Sequence, residues 1–336
     1  MALTKSHGIE IVGIETIIPH TIEDNLNLQL IAKEESESIV EHTGIRYRRV
    51  LKNKEIGIKT LFEKGITSLL TQLDWEKESI DVLICVTQTP QTAIPSVACQ
   101  LHGDLKLGVD TLCYDINSGC SGFVYGLHTL SAILATFDKE NVRALLCCGD
   151  ISSHITDSSD RSVRPIFSDA ASVVAVEKTK DTMVSGFYNL QTDGSGQKAI
   201  YTEQKGSDVY MKLNGIDVFT YSMKWVPKNI SGLLTFAKKD IDYPDLFVFH
   251  QANKLINTAI AHKIKVPEEK TPSSLYEYGN TASASIPLTI GTTWSPSKMK
   301  SGWIVLVGFG VGFSIASALI KFNPKYYNVP QELNFE

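Results

Sequence analysis

Three short stretches of the chain hold side chains suited to handling an acyl group: "DINSGCSGF" with Cys120, "VFHQANK" with His250 and "EYGNTASASIP" with Asn280. Cys120 stands between Gly119 and Gly122, where a strand pattern gives way to a helical one. A thiol at a helix N-terminus feels the positive end of the dipole, which favours the thiolate. Small neighbours admit a substrate carbonyl, and the Cys120 backbone N–H is a candidate oxyanion donor. Taken singly, each residue also has an ordinary reading. A free cysteine is by default a small buried hydrophobe, and a lone histidine a surface or satisfied core residue. "GNTAS" reads equally as a turn followed by a helix cap. The order and spacing carry more weight: Cys120 to His250 spans 130 residues and His250 to Asn280 spans 30.

The elements that must position these residues follow from apolar patterning. "DVLICVTQT" (81–89), "TLCYDINSG" (111–119), "RALLCCGD" and "ASVVAVEKT" read as buried strands by length and β-branched content. A helix is predicted from Ser96, after Pro95, and a longer one over "SGFVYGLHTLSAILATF", with Phe123, Leu127, Leu130 and Leu134 on its apolar face. In the second half "VFTYSMKWVPKNISGLLTFAKK" is helical, with Pro227 expected to kink it or open its second part. "DLFVFHQAN" is a strand comparable with "DVLICVTQT", and a helix runs from Asn253 to Lys263. "GWIVLVGFG" and "GFSIASALIKF" close the chain as two strands around a glycine turn. The alternation predicts an α/β fold with a mostly parallel, helix-covered sheet, repeated in two halves, 1–180 and 181–336.

Composition narrows the function classes. The 336 residues carry a net charge of −5, which gives no global electrostatic case for nucleic acid or an anionic membrane surface. No run approaches a membrane span, and the N-terminus lacks the unbroken apolar core of a signal peptide. A cytoplasmic location with six reduced cysteines is therefore expected. No CxxC or HExxH spacing occurs, so no metal is expected, and the vicinal pair in "ALLCCGD" reads as buried strand residues.

Eight segments in order closely resemble the β-ketoacyl-acyl carrier protein synthase III family of the thiolase fold. They are "TGIRYRR", "IPSVACQL", "DINSGCSGF", "DSSDRSVRPIFSDAAS", "LNGIDVF", "FHQAN", "YGNTASASIP" and "GFGVGFS". The resemblance implies two similar halves packed as α-β-α-β-α layers, the first carrying a nucleophilic Cys120 and the second a His250/Asn280 pair. It implies an acyl-cysteine intermediate, then a decarboxylative Claisen condensation with malonyl-acyl carrier protein, without a cofactor. His250 and Asn280 would hold the enolate oxygen, and the N–H groups of Cys120 and Val311 the tetrahedral oxyanion. The acyl thioester donor would be acyl-coenzyme A or acyl-carrier protein, and the enzyme a homodimer. A non-condensing alternative keeps the acyl-cysteine but passes the acyl group to a hydroxyl or amine, with His250 as general base.

Departures from the family pattern concern partners. The tryptophan and arginine that clamp adenine in typical members are Ser38 and His42 here, which removes a stacking surface. Two basic carrier-docking positions appear as Thr220 and Leu255; Lys254, Lys263 and Arg46 or Arg48 are candidates to rebuild that patch. Ile94 replaces a bulky aromatic that reaches the acyl pocket across a dimer interface. The usual "FGDGA" becomes Phe167-Ser168-Asp169-Ala170-Ala171, and a glycine of the terminal turn becomes Val311. These changes point to a specialised synthase.

Overall fold

A computed structural model describes residues 2–180, 183–293 and 302–335. The central strands of its two large sheets are the apolar runs of the sequence. Ile80–Val86 buries every residue but Asp81, and it pairs in parallel with Arg143–Asp150 on one side and Leu112–Ile116 on the other. A strand buried on both faces needs no alternation, which is why "IDVLICV" is continuously apolar.

Two sheets repeat one plan. In the first, Ile9–Pro19 lies antiparallel to Ala170–Lys178, which lies antiparallel to Arg143–Asp150, which runs parallel to Ile80–Val86. In the second, Val184–Thr192, Ser314–Phe322, Gly302–Gly310 and Leu246–Phe249 follow the same sequence of senses. The sheets also exchange edges: Ala2–His7 joins the second sheet through Val184–Thr192. Tyr326–Tyr327 and Gln331–Leu333 join the first through Ile9–Pro19. The division at residue 180 falls beside Asp181 and Thr182, outside the described residues.

Helices make the layering. Gly122–Thr136 and Ser285–Thr293 lie between the sheets, where Phe123, Val124, Leu127, Ile286 and Ile290 join one core with side chains of both. Ile58–Leu73 and Val97–Leu105 cover the outer face of the first sheet, and Gly215–Ala237 with Lys254–Ile264 flank the second. This is the α-β-α-β-α layering that the resemblance implies.

Pro227 sits inside one continuous helix, Gly215–Ala237, and does not open a second one. Proline at that position has no N–H for the Met223 carbonyl one turn back. The Lys263 ammonium donates to that carbonyl instead, at 2.7 Å.

Candidate active site

The strand Leu112–Ile116 ends four residues before Cys120, and the helix Gly122–Thr136 begins two residues after it. The turn is pressed against Gly302–Gly310, and two glycines of that strand make the approach possible. A Cβ at Gly308 would meet Ser121 Cα at 2.6 Å, and one at Gly310 would meet Cys120 Sγ at 2.8 Å. Ser121 and Ser314 hydroxyls hydrogen-bond at 2.6 Å and fasten the turn to the start of the next strand, Ser314–Phe322.

Burial pushes the Cys120 thiol up to about 12, with the backbone N–H groups of Val311 and Cys120 acting against that rise. The sequence leads one to expect a dipole-favoured thiolate; here desolvation of a residue only 6% exposed wins over it. The same two N–H groups are the pair expected to form the oxyanion hole. Val311 is compatible with that task because Gly310 and Gly312 take the positive φ values around it.

His250 leaves the end of Leu246–Phe249, its N–H donating to the Val307 carbonyl at 2.7 Å. Its ring is 1% exposed, packs edge-on to Phe309, and places Nδ1 2.8 Å from Ser285 Oγ. Burial lowers it to about 3, partly countered by the Ala282 carbonyl, so the ring is neutral at physiological pH. Asn280 is gripped through its backbone: its N–H donates to the Ile166 carbonyl, and its carbonyl accepts from the Ser168 N–H. Its Oδ1 accepts the Ala282 N–H at 3.0 Å, which turns the amide so that Nδ2 is its donor. The contact of Nδ2 with the Ala252 carbonyl is long, 3.4 Å.

Cys120, His250 and Asn280 wall one cavity of about 170 Å³, together with Phe167, Val218 and Ile256. A second cavity of about 370 Å³ shares Cys120, Phe167 and Ile200 with the first and is bounded further by Gln88, Asn117, Ser152 and Val311. Its cover is a hairpin, Ile200–Lys205 and Asp208–Leu213, which contributes Ile200, Thr202 and Met211. Asp150 also borders it, and burial raises that carboxyl to about 6 despite bonds from Gln88 N–H, Thr87, Thr89 and Ser283.

The other candidates are spread over the surface. Ile94 is 87% exposed and outside the walls of both cavities of its own chain. Lys254 and Lys263 border one open groove of about 680 Å³ beside Leu255 and His42, although Lys263 is held by the Met223 carbonyl. Arg48 is not available to such a patch: it is 2% exposed and paired with Glu23 at 2.6 Å. Arg46 donates to the Tyr276 hydroxyl. Ser38 and His42 bond one another across a helical turn. Ser168 and Asp169 have structural partners: Ser168 Oγ accepts the Arg49 N–H, and Asp169 accepts from the N–H groups of Leu51 and Ser153.

The sequence reading passed over Asp150, Ser285 and the hairpin. Asp150 has the signal that singled out His250, a polar residue closing a buried strand. "IYTEQKGSDVYMKL" has a polar Gly-containing turn between two β-rich runs. Among the described residues no cluster of His, Cys, Asp and Glu is placed to hold a metal ion, and no helix is long and apolar enough to cross a membrane.

Residues 114–194 match the profile described as 3-Oxoacyl-[acyl-carrier-protein (ACP)] synthase III, and residues 234–322 match the C-terminal profile of the same name. The beta-ketoacyl-[acyl-carrier-protein] synthase III 2 of Bacillus cereus is 30% identical over 323 residues, 93% of this chain and 98% of that protein. The beta-ketoacyl-[acyl-carrier-protein] synthase III of Trichodesmium erythraeum is 31% identical over 331 residues, 94% of this chain and 99% of that one. The crystal structure of a 3-oxoacyl-(acyl-carrier protein) synthase from Burkholderia xenovorans superposes with a TM-score of 0.92 at 30% identity, covering 97% of this chain and 98% of its own.

Proposed function

The chain belongs to the 3-oxoacyl-acyl-carrier-protein synthase III family, and from that premise we propose how its own residues carry out the condensation. Cys120 Sγ attacks the carbonyl carbon of an acyl thioester; the donor C–S bond breaks, and the thiol proton leaves with the departing sulfur. The acyl group then rests on Cys120 as a thioester. A malonyl thioester on a carrier protein enters next. Its bond to the carboxylate breaks, carbon dioxide departs, and the electron pair left behind forms an enolate. The enolate carbon attacks the acyl carbonyl, Cys120 leaves as thiolate and is reprotonated, and a β-ketoacyl-carrier protein is released.

The observation that carries this reading is the shared cavity of Cys120, His250 and Asn280, in which the histidine is neutral. His250 Nδ1 lies against the Ser285 hydroxyl; assigning that hydroxyl as the donor puts the ring proton on Nε2, where His250 joins Asn280 Nδ2 as a hydrogen-bond donor. Two neutral donors suit an enolate oxygen, which needs stabilisation without a proton being transferred. A ring held at about 3 is a poor general base, which weighs against acyl transfer to a hydroxyl or amine. The N–H groups of Cys120 and Val311 serve both tetrahedral intermediates.

Acyl-coenzyme A or acyl-carrier protein as donor, carrier docking at Lys254 and Lys263, a homodimer in which Ile94 reaches the partner's acyl cavity, and a cytoplasmic location belong to the same proposal. The test is an Asn280→Ala variant. Carbon dioxide release from malonyl-carrier protein is expected to fall about 10²–10³-fold, the usual effect of removing one such donor. Acyl mass on Cys120 persists in that variant. Condensation at the natural rate would reject the assignment.

A further inference from the structure

Resting on the reading that Cys120 is acylated, we propose that the acyl group it accepts carries a hydroxyl near its thioester end. The polar groups of the second cavity divide into two sets. Thr87, Thr89 and Asp150 satisfy one another and neighbouring backbone: Asp150 Oδ1 accepts from both threonine hydroxyls, and Thr89 Oγ1 also accepts the Ile151 N–H. Their polarity is spent inside the protein and asks nothing of a ligand.

Ser152, Gln88 and Asn117 are different. Ser152 is 1% exposed and borders the cavity, yet its hydroxyl has no hydrogen-bond partner among the described residues. Gln88 Nε2 donates to Asn117 Oδ1 at 3.2 Å, which leaves Gln88 Oε1 as an acceptor and Asn117 Nδ2 as a donor. Reversing both amides leaves the same complement, one carbonyl and one NH₂. The Gln88 amide lies directly against the turn that holds Cys120, because a Cβ at Gly119 would fall 2.3 Å from its Oε1 and 3.1 Å from Val311 Cγ2. These groups therefore meet the first few atoms of an acyl chain, while Ile155, Phe167, Ile200 and Met211 offer apolar walls to the rest.

A hydroxyl is the matching substituent, since it donates to Gln88 Oε1 and accepts from Asn117 Nδ2, with Ser152 Oγ able to do either. A plain alkyl chain would strip water from Ser152 and from the cavity side of Gln88 and replace neither group's bonds. Discrimination of about tenfold per lost hydrogen bond is the usual consequence.

The test is intact-mass kinetics of Cys120 loading with equal amounts of racemic 3-hydroxybutyryl and butyryl thioesters. Both are presented on coenzyme A, and in a second series on a carrier protein. The hydroxylated group is expected to load at least about tenfold faster. Gln88→Leu and Ser152→Ala are each expected to bring the ratio towards one. Equal or faster butyryl loading in the natural protein would overturn the proposal, as would an unchanged ratio in both variants. Absence of added mass from any thioester would overturn the acyl-cysteine reading as well; loading by butyryl alone would leave that reading standing and remove only the hydroxyl.

Discussion

Cys120 shows what a sequence reveals about a single residue and what it leaves out. Its place in a glycine-flanked turn is legible, because only small residues let a strand end, a helix start and a thiol face a cavity together. Its acidity is not, because burial is imposed by Gly308 and Gly310, nearly two hundred positions away, and outweighs the dipole of its own helix. That packing makes Gly310→Ala informative. The new methyl would stand 2.7 Å from Cys120 Cβ and 2.8 Å from Sγ, so one of the two segments must move. Displacement of a reacting atom by about 1 Å can cost on the order of 100-fold in rate. The expected result is a loss of that size in Cys120 acyl loading, followed by quenched intact-mass spectrometry, with the far-UV circular dichroism of the natural protein. Loading within twofold of natural would mean that the strand does not position the sulfur.

Elements were legible where patterning is long and dry. Arg143–Asp150 coincides with "RALLCCGD", and the helix Gly122–Thr136 lies within its predicted span. Ends were less so: "DLFVFHQAN" reads as one strand, yet the ladder stops at Phe249, and Asn253 caps the next helix by accepting the Ile256 N–H. A cap and a helical residue look alike until the backbone turns. Least legible was the role of Ser168 and Asp169, whose partners lie far off in sequence. Asp169 holds the Leu51 and Ser153 N–H groups, and Ser153 Oγ as well, so one carboxyl ties together two loops beside the second cavity. Asp169→Ala leaves two backbone donors without their acceptor, at about 1–3 kcal/mol each. A destabilisation of about 2–6 kcal/mol is expected in urea unfolding. A change below about 0.5 kcal/mol, the ordinary range for surface substitutions, would show that water replaces the carboxylate.

At the scale of the whole molecule, the two-half plan was legible because each half repeats strand and helix signals in the same order, and the exchange of edge strands between sheets was not. Ala2–His7 gives no local sign that its partner is Val184–Thr192. Edges also bear on assembly. Leu112–Ile116 pairs on one side only among the described strands, and none of its residues is buried, although its neighbour Ile80–Val86 is almost wholly so. Its first residue, Leu112, is 42% exposed, and Ile94 and Val109 are also apolar and exposed, at 87% and 93%. An open apolar edge invites pairing with another chain, and a second copy of the same edge satisfies it by two-fold symmetry. The proposed homodimer would thereby cover the strand that leads to Cys120 and bring Ile94 to the neighbouring acyl cavity. Light scattering on the natural protein is expected to give twice the 37.0 kDa chain mass. Leu112→Lys, a charge on the pairing edge, is expected to shift it towards monomer and slow Cys120 loading in step. A monomeric natural protein at micromolar concentration would remove the interface. Full loading by a monomeric variant would instead show that each chain closes its own acyl cavity.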